Sequence, residues 1–246
     1  MLSMKNSLLI IPTYNEIENI SLMIETVFSI SKEINVLIVD DSSPDGTSKK
    51  VESLMSQYNN RLFLLERHEK RGLGTAYIAG FKWGLQKSYE YFFQMDCDFS
   101  HNPNDLIRLY NMLQEKDIDL CIGSRYISGI NVVNWPMSRV LLSYGASFYV
   151  RLITGMNIKD PTAGFKLYKR SVLESIPLED VEFVGYAFQI EMKFRAWKQK
   201  FKIIEIPIIF KDRERGVSKL NSSIIKEAVF GVLKMKIKSM FSSSYK

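Results

Sequence analysis

The chain holds only two cysteines and two histidines in 246 residues. Cys97 and Cys121 both fall in apolar, strand-like runs and read as buried, reduced thiols. A thiolate and imidazole metal centre would need more than this pair and His68 and His101 supply, and both histidines read as structural or solvated. Long apolar runs are missing too. No window approaches about 18 uninterrupted apolar residues, which argues against a spanning helix. The N-terminus leads almost directly into a strand, with no signal-peptide pattern. A dinucleotide fingerprint needs three glycines after the first strand, and Gly72 and Gly74 come much later, so they read as a turn. Internal repeats are absent, and no linker-like composition appears before about residue 220. The expectation is a cytoplasmic protein that can touch a membrane.

What is present is ordinary in bulk and uneven in placement. The length suits one large α/β domain or two small ones, and hydrophobic residues at 46% and charged residues at 24% are enough for a sizeable core. The net charge is +6, which suits an anionic partner. From Lys211 to Lys246 there are nine Lys/Arg against three acids, so this stretch carries the whole excess. The aromatics are not interleaved with the basic residues as a base-stacking platform requires, which argues against a nucleic-acid partner.

The first half alternates strand-like and helical patterns. Strands are expected over Ser7–Pro12, Asn35–Asp40, Arg61–Leu65, Tyr91–Met95 and Ile118–Ile122. Helices are expected over Glu16–Ile30, from Gly46 to about Tyr58, over Thr75–Ser88 and over Pro103–Glu115. This spacing predicts parallel βαβ units with helices on both faces. Further on, the pattern predicts a helix over Trp135–Ile153, a strand over Gly164–Tyr168 and a mainly helical Glu182–Lys198. A strand over Lys202–Ile206 and a last helix over Ser222–Met240 complete the reading.

In such sheets ligands bind beyond the carboxyl ends of the strands. Those ends read Pro12-Thr-Tyr-Asn-Glu16, Asp40-Asp41 and Asp96-Cys-Asp98, three polar turns on one edge. Alternation puts Asp96 and Asp98 on one side and Cys97 on the other. Two close carboxylates repel and are stabilised by a divalent cation; magnesium or manganese suits such oxygen ligands and leaves places for diphosphate oxygens. The plain alternative is that both aspartates cap the helix near Pro103. Phosphatases that use this triplet carry it after the first strand, whereas here it follows the fourth.

The motifs Ile11-Pro-Thr-Tyr-Asn-Glu16, Val39-Asp-Asp-Ser-Ser-Pro-Asp-Gly46, Arg71-Gly-Leu-Gly74, Asp96-Cys-Asp98 and Gly123-Ser-Arg125 resemble family 2 glycosyltransferases of the GT-A fold. Within that family, Trp135-Pro-Met-Ser-Arg139, Asp160-Pro-Thr-Ala-Gly-Phe165, Gly185-Tyr-Ala-Phe-Gln-Ile-Glu191 and Arg213-Glu-Arg-Gly-Val-Ser-Lys219 resemble dolichol- or polyprenol-phosphate mannose synthases. The resemblance implies an inverting transferase moving a sugar from a nucleotide-sugar donor, GDP-mannose favoured, to a polyprenyl or dolichyl phosphate. It implies a nucleoside pocket lined by Pro12, Tyr14 and Glu16, with Val39 and Asp41 at the base and ribose. Asp96, Cys97 and Asp98 would meet the donor, with Asp96 and Asp98 on the metal and Ser100 where some relatives carry a glutamine ligand. Arg213 and Lys219 would meet the donor diphosphate, and Arg125 and Arg139 the acceptor phosphate. A phosphate monoester has a second pKa of about 6 and is mostly dianionic at neutral pH, so it needs cations rather than a general base. Glu191 reads as either a core acid bonded to backbone or a donor ligand.

An isoprenoid acceptor requires contact with a bilayer. The chain is expected to divide into a catalytic domain over 1–220 and a basic amphipathic helix and tail over 221–246. That helix suits the membrane interface or, alternatively, packing on the catalytic domain with its lysines solvated. The apolar helix beginning beside Arg139 adds a second contact. The arrangement leaves room for a membrane-embedded partner subunit. Competing readings are a related transferase using UDP-glucose or UDP-N-acetylglucosamine, one with an alcohol or glycan acceptor, and a non-catalytic nucleotide- or nucleic-acid-binding protein.

Overall fold

Ser7–Thr13 forms the first strand, β1, and it is apolar on both faces because both are covered. Leu8 and Ile10 enter one hydrophobic layer, while Leu9 and Ile11 enter another. β1 pairs in parallel with β2 (Asn35–Asp40) on one side and β4 (Tyr91–Gln94) on the other. β3 (Leu62–Glu66) extends the sheet beyond β2, again in parallel. Helices α1 (Ile20–Ile30), α2 (Thr47–Met55) and α4 (Asp105–Glu115) cover the Leu9 face. Helices α3 (Leu73–Leu85), α6 (Arg170–Ser175) and α7 (Tyr186–Lys198) cover the Leu8 face. The result is the helix–sheet–helix sandwich that buried parallel strands demand. The structure, a computed structural model, describes residues 4–115, 117–212, 222–241 and 245.

The second half departs from simple alternation. β5 (Leu120–Ser124) does not lie beside β4, because β7 (Lys166–Lys169) inserts between them antiparallel to both. β8 (Ile203–Pro207) then pairs in parallel with β5, giving the sheet order β3-β2-β1-β4-β7-β5-β8. The mostly parallel sheet is thus as expected, with one reversed strand that the Lys-Leu-Tyr-Lys pattern of β7 did not announce.

Two short strands, β6 (Val132–Val133) and β9 (Phe210–Lys211), form a separate parallel pair. The Lys211 N–H also donates to the Ser100 carbonyl at 3.1 Å, which ties the loop after β4 to chain arriving from β8. Helix α5 (Met137–Thr154) starts at Pro136, whose fixed φ suits a helix entrance.

Some boundaries differ from the sequence reading. α1 begins at Ile20 rather than Glu16. The N–H groups of Glu16 and Ile17 are taken by Thr47 Oγ1 and Asp45 Oδ2, each at 3.0 Å, and Asn15 has φ 58°, so the chain turns before it can coil. α7 begins at Tyr186, after Gly185, so Glu182–Gly185 is a connecting segment.

The last helix, α8 (Ser222–Phe241), lies against α5 and α7. Val232 and Met235 join the hydrophobic layer of α3 and α7. Tyr245 is buried there too; its hydroxyl donates to Glu191 Oε1 at 3.2 Å, and Arg195 stacks over its ring at 4.3 Å. Three α8 lysines make contacts with the body of the protein. Lys234 and Lys238 pair with Glu182, and Lys236 Nζ donates to the Thr154 carbonyl at 3.1 Å. No helix among the described residues is long and apolar enough to cross a membrane.

Candidate active site

The carboxyl ends of β1, β2 and β4 lie side by side, because β1 sits between the other two and all three run the same way. Asp40 closes the β2 end. It is fully buried and accepts hydrogen bonds from Thr13 Oγ1 at 2.7 Å, Ser48 Oγ at 2.8 Å and the Ser43 N–H at 2.8 Å. Its role is to shape the turn. Asp41, beside it, is buried against Arg67 at 3.0 Å. Burial raises the Asp41 pKa, and Arg67 opposes that shift. Tyr14 lies beneath Lys70, whose ammonium is 3.9 Å from the ring centroid. Glu16 accepts from Asn19 Nδ2 at 2.9 Å. Pro12 is half-buried in register with Val39, and Val39 itself is fully buried, within reach of any Cβ added at Gly80.

Beyond β4 the chain bends through Asp96-Cys-Asp98. Both aspartates are half-buried, while Cys97 turns into the apolar layer of α1 and α4. Tyr77 donates to Asp96 Oδ1 at 3.1 Å, and the Ser100 N–H donates to Asp98 Oδ1 at 3.1 Å. Ser100 Oγ and His101 Nδ1 are buried without a hydrogen-bond partner among the described residues. Burial depresses the His101 pKa against the pull of Asp96 and Asp98, which favours a neutral imidazole. No group of three or more His, Cys, Asp or Glu among the described residues forms a metal cage. Two carboxylates and a hydroxyl still form an all-oxygen set of the kind hard divalent cations take when substrate and water complete the shell.

A polar floor lies beneath this loop. A Cβ on Gly164 would sit 3.6 Å from Asp96 Oδ2 and 3.6 Å from His101 Cε1. Gln189 accepts from Gln94 Nε2 at 2.7 Å and from Lys166. Lys193 donates to the carbonyls of Pro161 at 2.8 Å and Ala163 at 2.7 Å, and burial pushes its pKa down to about 7. Glu191 resolves to the core alternative. It is fully buried, accepts from the N–H groups of Glu182 and Phe183, and pairs with Arg195 at 2.8 Å.

Two arginines face the loop from the second half. Arg125 is buried. Its Nε and Nη2 each donate to Asp160 at 2.7 Å, its N–H donates to the same carboxylate at 3.0 Å, and Nη2 also reaches Thr162 Oγ1 at 2.6 Å. Arg139, on the first turn of α5, stacks 4.1 Å from the Trp135 ring centroid and donates through Nη1 to both Asp212 oxygens at 2.9 Å. Trp135 also lies 5.7 Å from the Arg125 guanidinium. The Phe210 ring is 5.3 Å from Trp135 and 5.2 Å from His101, so an aromatic chain joins the arginines to the acid loop.

Residues 8–176 match the family described as glycosyl transferase family 2. The chain belongs to that family. A similar family 2 protein is the polyprenol monophosphomannose synthase of Mycolicibacterium smegmatis, 45% identical over 93% of this chain and 86% of that protein. Another is the undecaprenyl-phosphate mannosyltransferase of Micrococcus luteus, 43% identical over 92% of this chain and 91% of that one. Among solved structures, glucosyl-3-phosphoglycerate synthase from Mycobacterium tuberculosis, crystallised with Mn2+, UDP and glucosyl-3-phosphoglycerate, superposes with a TM-score of 0.67. The match is 15% identical and covers 96% of this chain and 80% of that one, which bears on the fold alone. The fold is GT-A, an α/β sandwich around a mostly parallel sheet.

In this family 2 chain the fold brings Pro12, Tyr14, Glu16 and Asp41 to one end of the sheet and Asp96, Asp98, Ser100, Arg125 and Arg139 to the neighbouring loops. Arg213 and Lys219 lie outside the described residues. The sequence reading assigned no role to Asp160, Asp212, Arg67, Tyr77 or Trp135, which hold the expected site residues in place. Only Asp160 and Trp135 carried a signal, since each opens a motif that the family resemblance singled out.

Proposed function

We propose that this chain is an inverting glycosyltransferase that moves a sugar, with mannose from GDP-mannose favoured, onto a polyprenyl or dolichyl monophosphate at a membrane surface. The observation that carries the reading is the pair of arginines that both approach the Trp135 ring, which Phe210 links to His101 after the acid loop, with Arg139 at the root of an apolar helix. Two cations suit a dianionic acceptor phosphate approaching a donor diphosphate. α5 leaves Met137, Leu141, Tyr144, Phe148 and Leu152 exposed on one stripe, which suits an acceptor whose tail lies in lipid. The names of the two mannose-transferring relatives support the acceptor class and the sugar.

The carboxylates of Asp96 and Asp98 would hold a divalent cation, Mg2+ or Mn2+, with Ser100 in contact directly or through water. When bound, the cation supplies positive charge to the departing nucleoside diphosphate. Tyr77 keeps Asp96 oriented. Tyr14, Glu16 and Asp41 meet the nucleoside, while Arg213 and Lys219 meet the diphosphate. Val39 is buried, so it would shape the pocket from behind, and Cys97 would contribute through its backbone. Arg125 and Arg139 hold the acceptor phosphate. One of its oxygens attacks the anomeric carbon in line, forming the new carbon–oxygen bond as the bond to the donor diphosphate breaks. No proton needs removal from the attacking oxygen. The nearby buried acids fit that chemistry, since Asp160 is bound to Arg125 and Glu191 to Arg195 and backbone. Working on the cytoplasmic face, residues 1–220 would form the catalytic part. Residues 221–246 would add basic and apolar contacts to the bilayer, on a face where a membrane-embedded subunit also fits.

The test offers GDP-mannose, UDP-glucose and UDP-N-acetylglucosamine separately, each radiolabelled, to a polyprenyl phosphate with Mg2+, Mn2+ or chelator. Metal-dependent label in the lipid phase from GDP-mannose is the expected result. Label from another donor corrects the sugar. No lipid label from any donor, with one donor still bound, removes the lipid-phosphate acceptor.

A further inference from the structure

We infer that Asp212 is an internal stand-in for the acceptor phosphate on Arg139, and that the acceptor binds by displacing it. The inference rests on the proposed acceptor role of Arg139. Both Asp212 oxygens accept from Arg139 Nη1 at 2.9 Å, so an anion already occupies this guanidinium. The fit is incomplete. Arg139 Nε and Trp135 Nε1 are both buried without a hydrogen-bond partner among the described residues, and the two side chains are stacked. Buried N–H groups left without acceptors are costly, and a site that leaves two of them orphaned is short of acceptor atoms. A phosphate monoester brings three terminal oxygens and up to two negative charges, against two oxygens and one charge for a carboxylate. It therefore suits this arginine–tryptophan pair better than Asp212 does.

The pair is also built to exchange. The side chains of Arg139 and Asp212 retain 24% and 30% of their accessible surface, whereas Arg125 and Asp160 retain 10% and 0%. Partly exposed ion pairs are weaker than buried ones, because water screens the charges and competes for their hydrogen bonds. The contact between Asp212 and Arg139 is thus one that a stronger anion can replace. The Asp212 backbone stays in place, since the Asp212 N–H donates to the Val133 carbonyl at 3.1 Å next to the β6–β9 pair. The carboxylate thus keeps the guanidinium oriented and gives it up when a better anion arrives.

The test measures binding of farnesyl phosphate to the full chain in detergent by calorimetry, with farnesol as the phosphate-free control. Asp212→Asn removes the competing charge and is expected to tighten farnesyl phosphate binding about fivefold, the scale of an exposed ion pair. Farnesol binding should not change. Asp212→Glu keeps the competitor and should bind like the parent. In an Arg139→Ala background, Asp212→Asn should have no effect. Equal or weaker binding of farnesyl phosphate by Asp212→Asn, with an unchanged melting temperature, overturns the inference. If Arg139→Ala alone binds farnesyl phosphate as the parent does, the acceptor role of Arg139 fails instead, a separate outcome.

Discussion

Arg125 and Arg139 each carry a carboxylate, and the two pairs are built oppositely. Asp160 grips Arg125 through side chain and backbone inside the protein, with Thr162 closing the set. Asp212 meets Arg139 in a partly exposed position, through one nitrogen. The first pair fixes a cation in space. The second keeps a cation oriented but available. If both meet one phosphate, the protein supplies one rigid contact and one exchangeable contact. Both pairs join a guanidinium to a carboxylate, and they differ in burial and in the number of bonds.

The largest expected effect tests the rigid pair. Asp160→Asn leaves the Arg125 charge buried without its partner and should cost about 3–5 kcal/mol in urea unfolding. Asp212→Asn should cost less than about 1 kcal/mol. Similar losses for the two variants would break the comparison. pH sharpens it. Burial alone would raise the Asp160 pKa, but Arg125 overrides this and holds it below the usual 3.8. A depressed carboxyl pKa means stabilisation that is complete above the unfolded value and lost as pH falls through the folded one. The parent should therefore lose stability below about pH 4, and the Asp160→Asn variant should lack that component.

The next effect concerns the loop that both arginines face. Asp98→Asn should lower metal-dependent transfer by about a hundredfold or more, the scale of the charge stabilisation a metal supplies. Melting should stay unchanged, because Asp98 is half-buried and its bond to the Ser100 N–H can be kept by an amide oxygen. Transfer at the parent's rate would remove the metal assignment.

The acid loop and the first strands were legible in the sequence because local patterns determine them. Apolar runs ended in polar turns, and Asp96 and Asp98 stood at one of those ends. The partners of the arginines were not legible. Asp160 is 35 residues from Arg125 and Asp212 is 73 residues from Arg139, and a single sequence has no signal for pairing at that range. β7 was legible as a strand over Gly164–Tyr168, but its place between β4 and β5, antiparallel to both, is set by long-range pairing and was not. That place leaves Lys166 fully buried against Gln189. The glycines at 72 and 74 read as a turn, but Gly74 is needed for packing. A Cβ there would come within 2.8 Å of the Phe183 carbonyl oxygen and of Phe188.

A smaller effect extends the comparison to the lipid side. Leu141 and Phe148 are exposed on α5, the helix that begins beside Arg139. The double change Leu141→Glu with Phe148→Glu should weaken binding to anionic vesicles about tenfold or more, from the apolar area no longer buried. Transfer to a short, water-soluble prenyl phosphate should be retained. Loss of both activities would mean that the stripe supports the site itself.

The smallest effect comes from a third ion-pair group. Glu182 is bound by Lys234 and Lys238 of α8, and like the Arg139 pair it is partly exposed. Glu182→Gln should therefore cost less than about 1 kcal/mol of stability, as other exposed pairs do. Binding is the more informative readout. In the parent, this carboxylate neutralises part of the α8 charge, so freeing two lysines should strengthen adsorption to phosphatidylserine vesicles severalfold, at about 1 kcal/mol per lysine near the surface. The gain should disappear in high salt, because the attraction is screened. Neutral phosphatidylcholine vesicles should show no gain. A large stability loss would place Glu182 with Asp160 among the fixed contacts. Unchanged vesicle binding would mean that α8 keeps its lysines on the protein even when their partner is gone.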